Sequence, residues 1–156
     1  MSEKKIIIFS YHYPPDQSAG STRMFNLVKI INKKLPNAKI FILCSNPKRY
    51  IKNRIPESLK SSRNIFIKRL WIPSSFNNEL YSVIAYLFYF FQGLIFSLLI
   101  KPDITIATSA KLLTAVLGLF SSKINQSIYF ADIRDTFVDN YFYFYRWKKR
   151  IILVGF

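Results

Sequence analysis

One cysteine and one histidine in 156 residues leave little metal or redox chemistry open. Cys44 alone excludes a disulfide framework and a thiolate cluster, and with His12 as the sole imidazole a zinc centre is not expected. Cys44 ends an apolar run from Ala38 and reads as a small buried residue. Glycine is scarce, at four residues. No Gly-x-Gly-x-x-Gly and no Gly-x-x-x-x-Gly-Lys-Ser/Thr is present, so dinucleotide and P-loop readings fail. A Gly-x-Ser-x-Gly nucleophile elbow is missing as well. The opening Met1-Ser-Glu-Lys-Lys5 runs straight into an apolar stretch without a signal-peptide pattern, which implies a cytoplasmic start. There is no internal repeat and no low-complexity tract.

Acid is the other scarcity. Eight Asp and Glu stand against 23 Lys and Arg, for a formal charge of +15. Between Lys33 and Arg69 the only acid is Glu57. Such a balance favours phosphate-bearing partners, whether nucleic acid, anionic lipid or a pyrophosphate-linked substrate, or else it is a solvated basic face. Hydrophobic residues make up 51% of the chain, enough for a real core in what is by length one domain.

Five short apolar runs, Lys5–Phe9, Lys39–Cys44, Ile65–Leu70, Ile104–Ala107 and Ile128–Ala131, read as strands. Helix-length segments at Thr22–Leu35, Asn78–Ile100 and Leu112–Ser122 separate most of them. This alternation predicts βαβ units in a doubly wound, parallel α/β sheet of Rossmann-like type. The first helix sets Phe25, Val28, Ile31 and Leu35 along one face. Pro36-Asn37, Pro102 and Lys123-Ile-Asn125 mark helix ends. A basic loop runs from Asn46 to Asn64. Leu80–Ile100 holds no charge and is long enough to cross a bilayer. Ser82, Gln92 and Ser97 interrupt it, and its aromatics are spread through its length, so a buried or membrane-contacting crossover helix is the expectation and a span the alternative.

Doubly wound sheets bind ligands at the carboxyl edge of their strands. That edge would gather Tyr11 to Gly20, Ser45-Asn46, Pro73 to Ser75, Thr108-Ser109 and Asp132 to Asp135. In the first loop Gly20 precedes the helix, where backbone amides can approach an anion. His12 offers an imidazole to a phosphate or a hydroxyl, or is an incidental surface residue. Arg23 pairs with Asp16 or clamps a phosphate. Thr108 and Ser109 present hydroxyls to a ligand or cap the helix that follows. In Ala131-Asp-Ile-Arg-Asp135, Arg134 can hold one of Asp132 and Asp135 while the other accepts hydrogen bonds from hydroxyls or acts as a general base; either Asp alone can instead be a helix cap.

Four stretches in order resemble the N-terminal domain of family 4, GT-B-fold glycosyltransferases, of the kind that builds bacterial capsule, O-antigen and exopolysaccharide. They are Tyr13-Pro-Pro-Asp16 with Gly20 and Arg23, the apolar aromatic helix, Lys101-Pro-Asp-Ile-Thr-Ile-Ala-Thr-Ser109, and Ala131-Asp-Ile-Arg-Asp135. The resemblance implies an acceptor-side domain whose partner domain binds a nucleotide-sugar donor, with no bound metal or cofactor. Gly20 would then lie near the donor diphosphate, and Asp132, Arg134 and Asp135 would line the cleft on the acceptor side. A lipid-linked glycan acceptor and a membrane surface are the implied partners, and nucleic acid is not. The family's glycine pair is Ala19-Gly20 here, and its Leu-Trp-Pro is Thr136-Phe-Val138. The donor-binding domain lies outside this sequence, and the apolar ending Ile151–Phe156 reads as that of a fragment. A single-span basic membrane protein and a basic nucleic-acid module are the readings from other classes.

Overall fold

The computed structural model describes residues 3–46, 63–73, 79–108 and 112–133. Five strands, β1 (Lys5–Phe9), β2 (Lys39–Ser45), β3 (Ile65–Leu70), β4 (Ile104–Thr108) and β5 (Ile128–Asp132), form one sheet in the order β3-β2-β1-β4-β5. Every pairing is parallel. Among the described residues three helices connect them: α1 (Ala19–Lys34), α2 (Glu79–Ile100) and α3 (Leu112–Asn125). The order reverses between β1 and β4, which makes this a doubly wound, Rossmann-like α/β fold.

The sheet is apolar on both faces because both are covered. Ile6 and Ile8 of β1 and Ile40, Ile42 and Cys44 of β2 meet Met24 and Val28 of α1 in one core layer. Ile7 and Phe9, one residue out of phase, join Leu43, Ala85, Tyr89, Ala107 and Leu117 in the layer beneath α2 and α3. This alternation is the period-two geometry of a strand. Asn64 ties the start of β3 to the end of α1 through bonds from Nδ2 to Asn32 Oδ1 and to the Pro36 and Ala38 carbonyls.

The helix boundaries follow local chemistry. Ser18 caps α1, its Oγ accepting from the Ser21 amide at 3.1 Å. The helix therefore begins at Ala19, three residues before the expected Thr22, and Gly20 lies inside its first turn and not before it. The buried stripe is accordingly Ser21, Met24 and Val28, with Phe25 and Ile31 on its flank and Leu35, the C-cap, 42% exposed. Lys101 ends α2 at φ 51°, and the following Pro102 bars continuation. Gln126 ends α3 at φ 55°.

Two glycines permit close approach. A Cβ at Gly118 would stand 2.5 Å from Ala107 Cβ and 2.8 Å from the Tyr129 ring, so α3 rests directly on the sheet there. A Cβ at Gly93 would meet Leu117 Cδ2 at 2.8 Å, where α2 crosses α3.

Candidate functional site

The loop after β1 reaches the carboxyl edge beside the switch point and is held from several sides. The Ser10 amide donates to the Leu43 carbonyl at 3.1 Å. Ser45, the last residue of β2, donates to the Tyr11 carbonyl through its amide (3.0 Å) and its Oγ (2.7 Å). Ser10 Oγ donates to the His12 carbonyl at 2.7 Å. Arg69 in β3 donates from Nη2 to the Pro14 carbonyl at 2.6 Å and from Nη1 to the Ser45 carbonyl at 3.3 Å. A loop of Pro, Ser and Tyr thus has its shape dictated by two neighbouring strands.

Beneath the loop lies an aromatic cluster. Tyr11 stacks on Tyr86 at 5.1 Å and meets Tyr89 edge-on at 5.2 Å. Tyr89 donates to the Leu43 carbonyl at 2.8 Å, and Tyr86 shares a short hydrogen bond with Thr114. Burial holds the phenols of Tyr13, Tyr86 and Tyr89 above their usual range. Tyr11 is raised by burial first and then by the Asp16 charge. Burial also pushes the Cys44 thiol up to about 11 against the opposing pull of Arg69. These are groups that stay protonated and position others.

The charged residues pair differently from expectation. Asp16 is buried, its side chain 1% exposed, and Oδ2 lies 3.3 Å from His12 Nδ1. Arg23, in the second turn of α1, does not reach back to Asp16. Its Nη2 donates to Asp132 Oδ1 at 2.5 Å. Asp132 is the last residue of β5, in register with Thr108 at the end of β4. Its other oxygen, Oδ2, is buried and has no hydrogen-bond partner among the described residues. The strand-end position and this pairing place Asp132 at the carboxyl edge of the sheet. An open groove of about 660 Å³ runs along α1 from Ala19 to Ile30 and ends on Asp132.

The fold therefore brings His12, Asp16, Gly20, Arg23, Thr108 and Asp132 to one edge of the sheet, with His12–Asp16 and Arg23–Asp132 in direct contact. Ser109, Arg134 and Asp135 lie outside the described residues, as does most of the basic loop and the segment from Tyr141. Ser45, expected at this edge, acts there by holding the Tyr11 carbonyl. Arg69 is the positioning residue that strand patterning alone does not expose, and a charge near the end of an apolar strand is the only trace it leaves in sequence. Among the described residues no three His, Cys, Asp or Glu side chains come together.

The edge combines a hydroxyl-accepting carboxylate, a guanidinium, an imidazole on a buried carboxylate, and a helix N-terminus. That set suits a ligand carrying both hydroxyls and negative charge. The chain matches no known family model and no curated protein.

Proposed function

We propose that this chain is the acceptor-side, N-terminal domain of a GT-B glycosyltransferase of the family 4 type. The whole enzyme would transfer a sugar from a nucleotide-sugar donor to a lipid-linked or polysaccharide acceptor in cell-surface polysaccharide synthesis, working from the cytoplasmic side of the membrane. The observation that carries the reading is the Arg23–Asp132 pair. It joins the Tyr13-Pro-Pro-Asp loop and its helix to the Asp-Ile-Arg-Asp segment across the switch point, and these are two of the four stretches on which the resemblance rests.

In this reading the first turn of α1, with Gly20, faces the donor diphosphate, whose charge the helix dipole and His12 favour. Arg134 and Asp135 join Asp132 on the acceptor side, with Thr108 and Ser109 offering hydroxyls nearby. Transfer breaks the bond between the anomeric carbon and the diphosphate oxygen and forms one to the acceptor oxygen. The nucleoside diphosphate leaves, and a carboxylate such as Asp132 or Asp135 takes the acceptor proton. Donor binding belongs to a second domain, so the chain by itself is expected to be inactive.

The test is transfer of labelled sugar from a panel of nucleotide sugars into the lipid fraction of membranes. The chain would be supplied with the domain encoded downstream of it, fused or co-expressed. Incorporation that disappears with Asp132→Asn supports the reading. No incorporation from any donor, in the presence of a folded second domain, removes it.

A further inference from the structure

The side of α2 turned away from the sheet is a large described surface that the site does not use. Its centre line is Ile84, Phe88, Phe91, Ile95 and Leu98, each between 43% and 58% exposed. Of the polar residues that interrupt this segment in sequence, Gln92 and Ser97 lie off that line. Gln92 Nε2 donates to the Trp71 carbonyl at 2.7 Å and to the Phe88 carbonyl at 3.0 Å. Ser97 is buried, with its Oγ donating to the Leu94 carbonyl and accepting from Asn125 Nδ2. On the opposite side of the helix Ala85 and Tyr89 are packed in the core, and Gly93 lies against Leu117 of α3. The helix is thus fixed by its inner half, and its outer half is left apolar. A continuous patch of this kind exceeds what a soluble monomer ordinarily leaves in water.

The spacing of the line identifies what fits it. Its members stand four, three, four and three residues apart. That is the spacing at which two helices set the side chains of one between those of the other. A lipid surface asks only for apolar character and imposes no such period. Val83, Leu87 and Leu99 widen the line within α2, and neighbouring elements flank it. Trp71 meets Phe88 edge-on at 5.7 Å, and Phe120 of α3 meets Phe90 at 6.1 Å. With these flanks, ten large apolar side chains stand roughly half exposed or more. Together they leave on the order of 800 Å² open, the area each partner gives to a stable interface.

We propose that this face pairs with the same face of a second copy of the chain, the two α2 helices running antiparallel across a two-fold axis. A single self-complementary stripe makes this kind of contact. Charge selects the direction. Glu79 opens α2 and Lys101 follows its last residue, with no charged residue between them. Antiparallel pairing sets Glu79 of each copy near the partner's Lys101 and lets the two helix dipoles oppose, whereas parallel pairing sets like charges together. In this arrangement Phe91, the middle of the line, meets the partner's Phe91, and Ile84 meets the partner's Leu98. The inference rests on this surface and not on the transferase reading.

The experiment is sedimentation velocity of the full chain over a range of protein and salt concentrations. Wild type sediments as a dimer. Because each copy carries a formal charge of +15, added salt screens the repulsion between copies and tightens the association. Phe91→Glu combined with Ile95→Glu replaces exposed groups, keeps the circular dichroism and melting of wild type, and weakens dimerisation by more than about tenfold. Cross-linking gives a second reading that does not depend on that variant. In a Cys44→Ala background with copper phenanthroline as oxidant, Phe91→Cys forms a disulfide-linked dimer. Ile84→Cys does so only when mixed with Leu98→Cys. Three results overturn the proposal. One is a wild type that stays monomeric throughout the range, including one that binds phosphatidylglycerol vesicles through this face instead. Another is a folded Phe91/Ile95 variant that dimerises like wild type. The last is Ile84→Cys linking to itself in the absence of Leu98→Cys, which means that the helices do not pair antiparallel.

Discussion

Nη2 of Arg23 and Oδ1 of Asp132 lie 2.5 Å apart, although 109 residues separate them in the chain. The pair ties the first helix to the last described strand at the open edge of the sheet. Its two members are unequally exposed, Arg23 at 57% and Asp132 at 14% of the side chain. Water therefore screens the attraction from one side, and the pair is worth on the order of 1 kcal/mol or less. Arg23→Ala should cost about 1 kcal/mol in urea unfolding, because it leaves both Asp132 oxygens without a partner. A double-mutant cycle with Asp132→Asn should return a coupling of about 0.5 kcal/mol that shrinks as salt is raised. A coupling of zero at low salt would show that the contact is not populated in solution.

Gly118 and Gly93 both sit at close contacts, yet they should respond differently to alanine. At Gly118 the added methyl meets Ala107 Cβ, which has no rotamer to yield, so Gly118→Ala should destabilise by about 2 kcal/mol. At Gly93 it meets the end of the Leu117 side chain, which can turn away, and the alanine gains helix propensity. Gly93→Ala should change stability by less than about 1 kcal/mol. Thermal melting of the two variants side by side measures the difference.

The Cys44 thiol is raised from 9.0 to about 11, with burial the leading cause. In the unfolded chain it ionises first, so the unfolded state binds fewer protons over that interval and stability falls as pH rises. Stability should be intact below pH about 9 and decline between about 9 and 11, by on the order of 2 kcal/mol from this group. The raised tyrosines add to the loss at the upper end. Cys44→Ala should flatten the first part of the profile in pH-dependent urea unfolding. Native Cys44 should also resist alkylation at pH 8 until urea is added.

The strand runs were legible because parallel strands covered on both faces are apolar nearly throughout, as Ile6–Phe9 and Ile40–Cys44 are, with Thr105 the one polar residue in Ile104–Ala107. Pro36 and Pro102 announced two helix ends for a reason equally local, the fixed ring and missing amide. Membership of the candidate site was also largely readable, since residues following strands of a doubly wound sheet converge on one edge. His12, Asp16, Arg23, Thr108 and Asp132 do so.

Pairing was not readable. Asp16 and Arg23 are close in sequence and both plausible partners, but the Ser18 cap starts α1 early and turns Arg23 toward β5. Asp16 is left buried against His12. Arg69 braces the loop only because parallel register sets the ends of β2 and β3 beside Pro14 and Ser45. In α2 the sequence shows an apolar run broken by Ser82, Gln92 and Ser97. The fold turns Ser97 into the protein and engages the Gln92 amide with backbone carbonyls, leaving the outward stripe unbroken from Val83 on. Composition and periodicity determine which elements form, because those depend on each residue's own backbone and its near neighbours. Which charges meet, and which apolar face stays uncovered, depends on contacts between distant segments, and only the tertiary structure decides them.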